Sequence, residues 1–163
     1  MPYALYANTT RIPVSNVQTD QQNRSVSTSW NLGPTFNTIN GFTAGSLVKI
    51  SYLIPIRNVG SPQTLDIEPQ ISFDGGTNWN SLRSGRQSIN NGYFGSYTNT
   101  LLIDPQQTSD FSVSMRFYYY SNSSGIFINQ GASGSVSGTA PVVMSGTNGL
   151  QHFTKVIVEE VFQ

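Results

Sequence analysis

Apolar and polar side chains alternate through residues 65–74: Leu65, Ile67, Ile71 and Phe73 share one face, and Asp66, Glu68, Gln70, Ser72 and Asp74 share the other. Successive side chains of a pleated strand point to opposite faces, so this is a strand buried on one side. Pro69 interrupts the run without an N–H to donate, which predicts that this strand lies at a sheet edge or carries a bulge there. Residues 47–56 repeat the pattern with Val48, Ile50, Tyr52 and Ile54 on one face, while Leu53 adds apolar surface to the other, as in a central strand. The two strands are expected to pair. In residues 111–120, Phe111, Val113, Met115, Phe117 and Tyr119 form a core face opposite Ser112, Ser114, Arg116, Tyr118 and Tyr120.

Shorter runs predict strands at 25–32, ended by Gly33 and Pro34, and at 97–103, 126–128, 139–144 and 152–162. In the last of these, Phe153, Ile157 and Val161 on one face and Val156, Val158 and Phe162 on the other are both apolar, which suits a central strand or one covered by another subunit. Between them, residues 57–64 and 104–107 read as loop and turn, 83–96 as an aromatic-rich loop with three glycines, and 131–138 as a loop of low complexity. Residues 1–24 read as an extended arm or an edge strand, and 25–163 as a single domain. Apolar spacing of three and four residues persists nowhere. The expected fold is all-β, an antiparallel β-sandwich whose long connections favour a jelly roll over an immunoglobulin-like layout.

The turn after the 65–73 strand, S-F-D-G-G-T-N-W, places Ser72, Asp74, Gly76 and Trp79 in an order that resembles the Asp-box of sialidase-like propellers, with Asn78 where that pattern usually has Thr. The resemblance implies that Ser and Asp side chains tie the turn and Trp packs over the hairpin, a structural role with no catalytic part. No second copy occurs in the chain. A propeller would need several such repeats at a fixed period.

Composition narrows the function classes. Lys plus Arg is 8 and Asp plus Glu is 8, so the formal charge is zero, which argues against nucleic acid and against an anionic membrane as partners. Only 10% of residues are charged, leaving Ser, Thr, Asn and Gln to cover most of the surface. Absence of cysteine excludes disulfides and thiol chemistry. The start, MPYALYANTTRIP, lacks a basic region followed by an apolar run, and no stretch approaches a membrane span, so a protein working outside the cell is expected to leave by lysis.

Candidate chemistry is sparse. His152 at the start of the last strand reads as a surface or interface residue before it reads as a catalyst. Asp66 and Glu68 lie two apart on one face, a spacing that glycoside hydrolysis or calcium binding could use and that a solvated strand face produces more often. Glu159 and Glu160 point to opposite faces and cannot grip one ion together. No cofactor or zinc motif occurs, and no enzymatic activity is expected. Tyr93, Phe94, Tyr118 and Tyr120 are the candidate contact residues, for a protein interface before a sugar.

Taken together, the short cysteine-free β chain, its uncharged polar surface and its single Asp-box-like hairpin resemble phage virion proteins of the jelly-roll type, such as capsid decoration, cement or fibre-head proteins. That resemblance implies a homotrimer on the surface of a particle, in contact with the major capsid protein and other virion proteins, stabilising the shell through the arm and the final strand. The alternative is a carbohydrate-binding module or receptor-binding tip, with Tyr93 or Tyr120 on the glycan.

Overall fold

The structure is a computed structural model that describes residues 12–20, 22–82, 84–129 and 153–162. The expected loop at 131–138, the strand at 139–144 and His152 fall outside the described residues. Twelve strands are described: β1 (Ser15–Asp20), β2 (Arg24–Ser25), β3 (Asn31–Thr35), β4 (Ile39–Phe42), β5 (Leu47–Asn58), β6 (Gln63–Ser72), β7 (Asn80–Ser81), β8 (Gly85–Ile89), β9 (Phe94–Ile103), β10 (Phe111–Ser121), β11 (Ile126–Ile128) and β12 (Thr154–Val161).

They form two sheets in which every pairing is antiparallel. The first runs β1-β12-β5-β11-β2 with β9 on the other side of β5, and the second runs β3-β10-β6-β7 with β4 on β10 and β8 on β6. The pairs nest: β1 with β12, β3 and β4 with β10, β5 with β9, and β6 with β8. The first half of the chain thus lies against the second half in reverse order. This is a long hairpin rolled into two layers, the connectivity of a jelly roll.

The inward faces close one core from both sheets. Val48, Ile50, Ile54, Leu65, Ile67, Ile71, Val113, Met115, Phe117 and Tyr119 are buried there, as the alternation of β5, β6 and β10 dictates. Edge-on ring contacts such as Tyr52 with Phe117 at 5.1 Å and Phe36 with Phe117 at 6.1 Å fill the space between the layers.

Four expectations are corrected. β5 and β6 do not pair; they are consecutive but lie in opposite sheets, and β5 takes β9, β12 and β11 as partners. β6 is no edge strand, since β10 lies on one side and β7 and β8 on the other. Pro69 is tolerated because its missing N–H faces the gap between β7 and β8, where its carbonyl still accepts from the Leu82 amide at 2.8 Å. The strand expected at 25–32 is two pieces in opposite sheets: Ser25 ends β2, and β3 begins at Asn31 and runs through Gly33 and Pro34 to Thr35. The loop expected at 83–96 contains β8 and the start of β9.

Strands run through Gly33, Gly85 and Gly95 for one reason. A side chain on Gly33 would run into the ring of Tyr119, one on Gly85 into the hydroxyl of Tyr97, and one on Gly95 into the hydroxyl of Tyr93. These glycines are not turn residues; each leaves room for a tyrosine that lies across the strand. Gly33→Ala is therefore expected to destabilise the fold by about 1–3 kcal/mol through overpacking against the buried Tyr119 ring, measurable as a lowered melting temperature. Gly33→Ala combined with Tyr119→Leu should recover part of the loss.

Candidate functional site

The turn of residues 72–79 is tied as a compact unit. Ser72 Oγ donates to Asp74 Oδ1 at 2.6 Å and accepts from the Gly76 amide at 2.9 Å. Asp74 Oδ1 accepts from the amides of Thr77 at 3.0 Å and Asn78 at 2.9 Å, and Asp74 Oδ2 from the Asn78 side chain at 2.6 Å. Hydrogen bonds from Asn78 and Ser72 hold the Asp74 carboxyl down to about 2 from the ordinary 3.8. Gly75 and Gly76 take φ of 75° and 93°, left-handed values that glycine adopts without strain. A side chain on Gly76 would lie 3.4 Å from the Trp79 ring.

Trp79 does more than cover the turn. The guanidinium of Arg116 sits 4.1 Å from the centre of the Trp79 ring and 5.3 Å from that of Tyr118, on the outward face of the second sheet. Arg116, Tyr118 and Tyr120 are the outward residues of β10, since Met115, Phe117 and Tyr119 between them are buried. Tyr120 lies beside Trp30, with ring centres 5.6 Å apart, and Trp30 itself is 48% exposed. Leu32 of β3, opposite Tyr118 in the ladder, is 50% exposed.

The polar side chains of this face are fixed by one another. Arg86 donates from Nε and Nη2 to the two oxygens of Asp66 at 2.7 and 2.9 Å, and this contact pushes the Arg86 guanidinium further up. Glu68 Oε1 accepts from Gln70 at 2.8 Å and from Ser81 at 2.6 Å, while Gln70 Oε1 accepts from Arg116 Nε at 2.8 Å. Both carboxylates that the sequence singled out are thus committed to neighbours on their own sheet. Among the described residues, no group of three His, Cys, Asp or Glu side chains could hold a metal ion.

The four candidate contact residues do not form one cluster. Tyr118 and Tyr120 lie on the second sheet's outer face with Trp30 and Trp79. Tyr93 packs against the core, and Phe94 starts β9 opposite Arg57 in the first sheet. The weak alternation of SVSTSWNL puts Val26, Thr28 and Trp30 on one strand face, but the stretch between β2 and β3 is not a strand, so Val26 is buried while Trp30 stands exposed.

Depressions of about 470 and 230 Å³ open at the Asp-box end of the sandwich and share Phe73, Asp74 and Gln107. On the outer face of the first sheet, the ladders align Val17, Ile157, Ser51 and Thr100 in one row, and Ser15, Glu159, Lys49 and Leu102 in the next. Lys49 and Glu159 pair at 2.8 Å there.

No family of known proteins and no curated protein matches the sequence. Solved structures of low similarity are found. A chain of the infectious bursal disease virus Gx strain is 11% identical over 92% of this chain and 38% of its own length, with a TM-score of 0.42. The C-terminal CBM6 of LamC, a laminarinase of Zobellia galactanivorans, is 14% identical over 88% of this chain and 90% of its own, at 0.34. A Bacillus endospore appendage protein is 6% identical over 94% and 93%, at 0.38. The chain spans less than two fifths of the viral chain. At these identities and scores the likenesses do not bear on function.

Proposed function

We propose that this chain is a non-enzymatic structural protein of a virus particle, a jelly-roll subunit that works through its sheet faces. The outer face of the first sheet carries the reading. Val17 and Leu102 stand 47% and 62% exposed on it, with Leu53, Ile157 and Val161 half-buried along the same surface. These aliphatic side chains share the face with Ser15, Ser51, Thr100, Lys155 and the Lys49–Glu159 ion pair, the mixture of apolar and polar groups that is covered when subunits meet. In this proposal the particle is a bacteriophage, the subunit is a trimeric decoration or cement protein, and the major capsid protein is its other partner.

Light scattering in solution tests the first step. The wild type is expected to have the mass of a trimer, and Val17→Lys with Leu102→Lys the mass of a folded monomer, because both side chains are exposed in the single chain and only the stabilisation from association is lost. A wild-type monomer that purified capsids fail to retain would overturn the reading.

A further inference from the structure

We propose that the outer face of the second sheet binds a neutral oligosaccharide lying along β10, a site separate from the subunit contacts above and independent of them. The chain has two tryptophans, and both lie on this face although the core between the sheets is lined with aromatic rings. Trp is usually withdrawn from water because its ring area is large. Here Trp30 is half exposed beside Tyr120, Tyr118 follows about 7 Å along the strand, and Trp79 closes the row over Arg116. The result is a row of rings along one strand, with the Arg116 guanidinium set between Tyr118 and Trp79.

What surrounds the rings selects the ligand. Glu68, Gln70, Ser81 and Arg116 are linked to one another, and Asp66 to Arg86, so their remaining donors and acceptors are already oriented and cost little rotamer freedom on binding. Sugars match this arrangement, offering C–H faces to aromatic rings and hydroxyls that both donate and accept. The two guanidiniums and two carboxylates balance, so the face favours neither a polyanion nor a cation. Protein interfaces place apolar groups at their centre; here Glu68 stands opposite Tyr118 in the middle of the row.

Both tryptophans report on the site directly. The full-length protein is applied to an array of neutral and acidic oligosaccharides, and the best neutral one is titrated while Trp fluorescence is followed. Wild type is expected to bind a neutral oligosaccharide with a fluorescence change; Trp30→Ala and Tyr118→Ala should each weaken binding about tenfold or more, the cost of one lost ring contact. Val59→Ser, in the exposed link between β5 and β6 and on neither face, should bind as wild type does. Retention of acidic glycans only, retention of none, or binding that survives Trp30→Ala with Tyr118→Ala overturns the proposal. So does a change of oligomer mass in Trp30→Ala without glycan binding, which would make the face a subunit interface while leaving the first sheet's role to its own test.

Discussion

Asn58→Ala is expected to lower the melting temperature by about 10 °C, a loss of roughly 3–4 kcal/mol for a domain of this size. Asn58 ends β5 with its side chain fully buried, and that one amide joins two connections and the Gln63 side chain. Its Nδ2 donates to the carbonyls of Ser61 at 3.0 Å, Ile89 at 3.3 Å and Asn90 at 3.0 Å, and its Oδ1 accepts from the Gly60 amide at 2.9 Å and Gln63 Nε2 at 2.8 Å. Gln63 extends the network, donating to the Ser124 carbonyl at 3.0 Å and accepting from Ser121 Oγ at 2.8 Å. The links between β5 and β6 and between β8 and β9 therefore meet at Asn58, and Gln63 ties that between β10 and β11 to them. Truncation leaves two donors and three carbonyls without the partner they had, and buried unpaired groups cost more than the bonds they replace contribute. Asn58→Asp should be no better, because a carboxylate cannot donate to three carbonyls. Thermal unfolding followed by circular dichroism decides; a fall below about 2 °C would show that water replaces the amide without penalty.

Glu160→Gln is expected to cost about 2 kcal/mol at neutral pH and to flatten the acid limb of the stability profile. Glu160 points inward from β12, buried, and accepts from the Val14 amide at 3.0 Å, the Thr43 amide at 2.7 Å and Ser46 Oγ at 2.9 Å. Burial alone would raise its pKa, but the hydrogen bonds from Thr43, Val14 and Ser46 outweigh it and hold the carboxyl below the ordinary 4.5. A depressed folded-state pKa stabilises the fold fully above the unfolded value, and the contribution fades as pH falls below 4.5 through the folded value. Glutamine removes that dependence and turns an amide N–H₂ toward the Val14 N–H, so the start of β1 should loosen first. Denaturant unfolding at a series of pH values from neutral downward measures both effects. Equal slopes for wild type and variant below pH 4.5 would show that the carboxylate does not titrate as its partners require.

Much of the fold was legible in the sequence. The faces of β5, β6 and β10 follow directly from their alternation, because the pleat alone decides which way each side chain points. The tie of Ser72 and Asp74 across the turn is equally local, depending on groups within a few residues of one another. Glycine and proline misled for the same reason: Gly33, Gly85, Gly95 and Pro69 look like punctuation in any short window. Gly33, Gly85 and Pro69 are explained by groups distant in the chain, such as the Tyr119 ring over Gly33 or the gap between β7 and β8 facing Pro69, and Gly95 by the way the ring of Tyr93 folds back over it.

The strand class, the buried faces and the tied turn of residues 72–79 are local, consequences of a period of two and of short-range side-chain chemistry. Long-range contacts alone place β5 in the opposite sheet from β6, gather distant backbone groups at Asn58 and Glu160, and bring Trp30 and Trp79 to Tyr118 and Tyr120 on one surface. Those outcomes depend on which strands close long loops to pair and on how rings pack between layers. Such choices are made by contacts between residues far apart in the chain, and no local pattern contains them.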